Sequence, residues 1–171
     1  MHIQTHVLSG WCVANAFRLT ARERLFAMLA ASLADLDGIG IFIHPDYYMR
    51  WHHVAGHNLL WALLLSALLT IWSTHRMKAF CLYFALFHLH LFLDYFGSGP
   101  GWGFEYFWPF SDFEVINPKA WSFYSWQNMA AFCFFLAWTG VILFWRKRTP
   151  LECLVPSLER RFVALLAKTE A

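Results

Sequence analysis

Residues 79–96 read AFCLYFALFHLHLFLDYF, a nearly unbroken hydrocarbon run that nonetheless carries His88, His90 and Asp94. Its length approaches the ~20 residues that an α-helix needs to cross the ~30 Å hydrocarbon core of a bilayer. The composition points the same way. Of 171 residues, 59% are hydrophobic and only 14% charged, with ten Trp and eighteen Phe. So few charges cannot cover the surface of a soluble domain of this size, which places the chain in the integral membrane class. The formal net charge of +2 and the lack of a basic stripe predict no nucleic-acid partner. Cys12, Cys81, Cys133 and Cys153 are scattered without a CxxC pair and read as small hydrophobes.

Outward from that run, further apolar stretches fall at 3–17, 25–34, 57–74 and 121–145. The last two, with 79–96, are long enough to cross, and the first two predict a short tilted or re-entrant hairpin. The first run contains His6 and lacks a basic leader and a small-residue cleavage site, so it is expected to be retained. The predicted fold is an all-α helical membrane bundle of about five spans. Arg18, Arg22, Arg24, Arg76, Lys78, Arg146, Lys147 and Arg148 fall in loops on one side, against Arg50 and Lys119 on the other. The positive-inside rule puts the first set in the cytoplasm and the N-terminus outside. Residues 1–148 then form the membrane domain and 149–171 a cytoplasmic tail. From Pro156 that tail sets Leu158, Phe162, Leu165 and Leu166 against Glu159, Arg160, Arg161 and Lys168, the pattern of an amphipathic helix on the inner leaflet.

Under that topology most of the polar groups converge on the outer face. His90 and Asp94 are one helical turn apart and share a face, whereas His88 points elsewhere and is expected to be structural. Carboxylates inside a membrane are costly and usually mark a site. LADLDG, residues 33–38, adds Asp35 and Asp37 at the end of the second run. WHHVAGHNLL, residues 51–60, adds His52, His53 and His57; the second and third have helical spacing, and His52 and His57 converge if a helix begins between them. Carboxylates meeting at one depth repel each other unless a cation holds them. A mixed His/Asp metal site follows. Imidazole and carboxylate without thiolate suit zinc, manganese or iron, with zinc the default for hydrolysis, as one ion or two.

The order Thr5–His6, Ala34–Gly38 (ADLDG), His52–Asn58 (HHVAGHN), His90–Asp94 (HLFLD) and Trp108–Ser111 (WPFS) resembles the YdjM-like family, whose signatures run TH, PDxD, HRGxTHS, HxxxD and yPFS. Its members are bacterial and archaeal inner-membrane proteins described as candidate metal-dependent hydrolases. The motifs cover about residues 4–112. They depart from the pattern at Ala34, where Pro is usual, and at His53, Gly56 and Asn58, where a basic residue, Thr and Ser are usual. The family in turn is similar to the zinc-dependent phospholipase C and S1/P1 nuclease group of helical phosphoesterases. That likeness implies His6, Asp35 or Asp37, His52, His57, His90 and Asp94 as metal ligands, with Asp94 bridging. Asp35 or Asp37, whichever is not a ligand, becomes the candidate general base.

The expected function is therefore hydrolysis of a phosphoester, in a lipid or lipid-linked substrate, at the extracytoplasmic face. The outer loop 96–121 places Trp102, Phe104, Tyr106, Phe107, Trp108 and Trp121 at headgroup depth. Arg50 and Lys119 are the only cations on that side available to hold a phosphate. Three other readings compete: a di-iron histidine-box oxygenase or desaturase, a b-type haem protein ligated by His57 and His90, and a non-catalytic protein with a structural metal.

Overall fold

Polar residues between the apolar runs decide where helices begin. Thr20 and Glu23 form a reciprocal capping box, Asn58 accepts from Trp61 N–H and Ser125 accepts from Asn128 N–H, each satisfying a donor that the first turn leaves open. The computed structural model describes residues 1–169, with side chains described through Leu166; the end of the predicted tail, including the Lys168 side chain, lies outside the described residues. The helices are α1 (Ile3–Ala14), α2 (Ala21–Ala30), a 3-10 helix (Leu33–Phe42), α3 (Pro45–Trp51), α4 (Leu59–Thr70), α5 (Arg76–Gly97), α6 (Trp126–Arg146), α7 (Leu151–Leu154) and α8 (Pro156–Thr169). Among the described residues there is no β-strand, only an isolated bridge between Phe104 and Val115.

The all-helical class is as the sequence predicts, while the count of about five spans is not confirmed. Among the described residues two helices, α5 and α6, are long and apolar enough to cross a membrane. A third span is made if α2 and the 3-10 helix, bent by 59° at their junction, count as one. The run 57–74, expected to cross as a single helix, is helical only over the 12 residues of α4. Its front is taken up by a turn that carries three histidines. Its back unwinds where Ser73 bonds Tyr83 (3.0 Å) and Thr74 N–H donates to Glu23 (2.9 Å). The first run likewise yields a helix of 12 residues, α1.

Helix α1 packs on α2 and α6, and α4 packs on α5. A Cβ on Gly10 would lie 2.6 Å from the Ala27 carbonyl oxygen, so the α1–α2 crossing needs glycine there. Ala14, Ala27, Leu65, Tyr83, Leu86 and Phe87 form the packed centre. Leu63, Leu64 and Leu68 of α4 and Phe134, Leu136 and Phe144 of α6 face outward and exposed, a surface suited to lipid. At the other end of the molecule, Glu152 of α7 pairs with buried Arg24 through two bonds of 2.5 and 2.6 Å. Beyond it, α8 exposes Leu158, Phe162 and Leu165 alongside Arg160 and Arg161.

Candidate metal centre

The 3-10 helix, the turn 52–58 and the end of α5 bring six predicted residues together: Asp35, Asp37, His52, His57, His90 and Asp94. Asp37 organises the turn. Its Oδ2 accepts from His53 N–H (3.0 Å) and Gly56 N–H (2.8 Å). The same carboxylate bonds His52 Nδ1 (2.8 Å, through Oδ1) and His57 Nδ1 (2.9 Å, through Oδ2). Since the carboxylate only accepts, His57 carries its proton on Nδ1 and turns the Nε2 lone pair inward. His90 is fixed in the same sense, its Nδ1–H donating to the Ala31 carbonyl (2.9 Å).

The result is an unusual juxtaposition. His57 Nε2 and His90 Nε2 face each other at 3.1 Å. Asp94 Oδ2 stands 2.9 Å from His90 Nε2 and 3.5 Å from His57 Nε2. Asp35 Oδ1 is 3.6 Å from His57 Nε2 and 3.7 Å from His90 Nε2. His57 and His90 are fully buried, Asp94 is 1% exposed, and Asp35, at 21%, is the open member. His6 lies beside His90, ring centroids 3.9 Å apart, with Nε2 3.2 Å from Asp94 Oδ1. Neither His6 nitrogen nor Asp94 Oδ2 has a hydrogen-bond partner among the described residues. The N-terminal ammonium of Met1 lies against the other Asp94 oxygen.

These residues fit a divalent cation. Ligand atoms of Asp35, His57, His90 and Asp94 lie within 4.8 Å of one another, and Asp37, His52 and His57 form a second such group. A tetrahedral ion with bonds of ~2.0–2.1 Å sets its ligands roughly 3.4 Å apart, the spacing found here. Two inward lone pairs beside two carboxylates and buried orphan atoms need positive charge between them. A proton is the substitute. Burial works against charge on His57, but the nearby carboxylates of Asp35, Asp37 and Asp94 prevail and hold its pKa well above the ordinary imidazole value. No cysteine joins either group, in keeping with the thiolate-free ligand chemistry. The carboxylates of Asp35 and Asp94 crowd both facing nitrogens, where a porphyrin plane would lie, against the haem reading.

His53, which shares helical spacing with His57 in the sequence, lies outside the ligand set that the family resemblance implies. The turn puts it in the left-handed region (φ 70°), which disfavours its i,i+4 helical pairing with His57 and costs roughly 1–2 kcal/mol. There it is buried, with Nδ1 on the Gly103 carbonyl (3.2 Å) and Nε2 4.0 Å from Asp94. Burial, and next the charge of His57, hold its pKa well below the usual value, so the ring is neutral. His53 also lines a cavity of about 330 Å³ together with Arg50, His52, Trp102, Glu105 and Glu114. Of the two predicted substrate cations, Arg50 lines this cavity. Lys119 is exposed and outside that lining; its backbone N–H bonds Asn117. His88 faces away from the cluster and bonds Tyr106 instead.

A model of the YdjM inner membrane protein family matches residues 1–170. The chain belongs to that family. The family match takes in α6 and the tail, which the motifs alone left out. No curated protein and no solved structure matches the chain. Within the family's motif order, Asn58 keeps the capping role that Ser also performs. Gly56 is required by close approach, because a Cβ there would lie 2.2 Å from the Ala34 carbonyl oxygen and 3.1 Å from Asp37 Oδ2. Gly56→Ala is expected to push the turn off Asp37, costing about 1–3 kcal/mol of stability and most of the bound metal. Thermal unfolding and elemental analysis of the purified variant check both effects.

Proposed function

We propose that this protein is a multi-pass membrane hydrolase that cleaves a phosphoester of a lipid or lipid-linked substrate at the outer face of the membrane. The observation that carries the reading is the encounter of the His57 and His90 lone pairs between Asp35 and Asp94. A divalent ion held there, zinc by preference and manganese or iron as alternatives, would supply Lewis acidity toward a phosphoryl oxygen and an acidified water. The chain's own groups have distinct tasks. Asp35, His57, His90 and Asp94 hold the ion with His6 alongside, and Asp37, saturated by four donors, orients His52 and His57. Asp35, the least buried carboxylate of the group, is placed to take a proton from solvent, and His53 stands between the cavity and Asp94. Arg50 is placed to offset phosphate charge, with Lys119 as a second, more distant candidate for a headgroup. Basic loops facing the cytoplasm would turn this end of α5 outward, and the resemblance of the motifs to zinc-dependent phospholipase C supports the reaction class.

Complete burial of His57 and His90 also suits a closed structural metal site, and turnover separates the two. The test uses full-length protein in detergent, stripped by chelator and reloaded with zinc or manganese. It is then offered phosphatidylglycerol, phosphatidylethanolamine and polyprenyl phosphate. Metal-dependent release of a phosphate-bearing product is the expected result. A loaded protein that turns over none of them supports the structural site, and one that takes up no metal overturns both readings.

A further inference from the structure

We infer that His88 and Tyr106 form a latch that holds the histidine-bearing turn in register from outside the cluster, which makes His88 a positioning residue for the proposed metal centre. His88 Nδ1 is 2.8 Å from the Phe84 carbonyl oxygen. A carbonyl only accepts, so Nδ1 carries the proton and Nε2 is left as an acceptor. Tyr106 Oη, 2.8 Å from that Nε2, is therefore the donor. The bond ties α5 to the outer loop at a point two residues before His90, on a different face of the same helix.

Tyr106 ends a short segment that runs along the turn and bonds it three times. The Gly103 carbonyl accepts from His53 Nδ1 (3.2 Å). Glu105 N–H donates to the His53 carbonyl (3.2 Å), and Leu59 N–H donates to the Tyr106 carbonyl (2.8 Å). These contacts hold His53 in its left-handed conformation and fix the first residue of α4. Helix α5 thus grips residues 53–59 from two sides, through the His90–His57 encounter and through His88, Tyr106 and the segment between. A slack latch lets the turn drift and pulls His57 Nε2 away from its partners. The effect on metal rests on the metal-centre reading; the effect on the turn does not.

The test compares wild-type protein with Tyr106→Phe, His88→Leu and His88→Gln, all full-length in detergent micelles. The glutamine variant keeps an acceptor for the tyrosine. Hydrogen exchange of peptides covering 52–59 is read alongside cobalt(II) affinity and the cobalt absorption spectrum. Tyr106→Phe and His88→Leu are expected to speed exchange in 52–59 by about tenfold with α6 unchanged. Cobalt affinity should weaken by about 10-fold, as for supporting partners of metal ligands. A Tyr106→Phe, His88→Leu double variant should be no worse than either single one, since both break the same bond. His88→Gln should restore most of each effect. Unchanged exchange in both loss variants overturns the latch, and so does faster exchange throughout the molecule. Faster exchange with unaltered cobalt affinity overturns its link to the metal. If wild-type protein binds no cobalt while exchange responds as expected, the latch stands and the metal reading falls.

Discussion

Asp94→Ala is expected to empty the metal centre. Elemental analysis of the purified variant should find near-background metal where wild-type protein carries at least one ion per chain. Asp94 Oδ2 sits among the Nε2 atoms of His90, His57 and His53, so its loss removes the charge to which the imidazoles converge. Removing a supporting group costs ~10–100-fold in affinity, and a direct ligand should cost at least about 100-fold. His90→Ala should behave alike. Asp37→Asn should fall between, because it disturbs orientation and leaves the four direct ligands in place. Binding should also weaken as pH falls, since an ion must displace the proton that His57, with its raised pKa, otherwise retains. Metal content unchanged in Asp94→Ala would sink the assignment. Iron in the wild-type protein would move the reaction toward the di-iron oxygenase.

The second large effect lies at the opposite end of the molecule. Glu152→Ala should destabilise the protein by about 3–5 kcal/mol, the usual consequence of stripping one partner from a buried ion pair. Arg24 is 4% exposed and spends its guanidinium on Glu152 and the Leu19 carbonyl. Glu152 also accepts from Trp11 Nε1 at 3.2 Å. Deleting the carboxylate leaves a buried charge unpaired and undocks α7 from α2. Replacing both partners by apolar residues, Arg24→Met with Glu152→Leu, should recover most of the loss. Denaturant unfolding in micelles measures both. Metal content should not change in either variant, because Arg24 opens α2 whereas Asp35 and Asp37 lie beyond its far end.

Much of the centre was legible in the sequence because its parts obey local rules. His90 and Asp94 share a helix face by periodicity, and His57 and Asp35 stand out as polar groups beside apolar runs. What periodicity cannot carry is the shape of a turn. The histidine motif was expected to open a helix. Instead, helix α4 starts only at Leu59, and residues 52–58 wrap around Asp37 with His53 in a left-handed conformation. That geometry decides which carboxylate orients histidines and which faces the open centre, and it brings His53 into the cluster. The count of about five spans is not confirmed for a related reason. Hydropathy measures how apolar 57–74 is, but not that its two ends are bound by polar contacts which forbid helix.

Helix α4 has a consequence for the lipid around it. Twelve residues rise only about 18 Å, little more than half of the ~30 Å that hydrocarbon occupies. A bilayer surrounding this protein must thin beside α4 or bring its polar layer down toward the histidine turn, and each ångström of mismatch carries a cost of fractions of a kcal/mol. The acyl-chain length of the host membrane thereby becomes a variable of the protein's own stability.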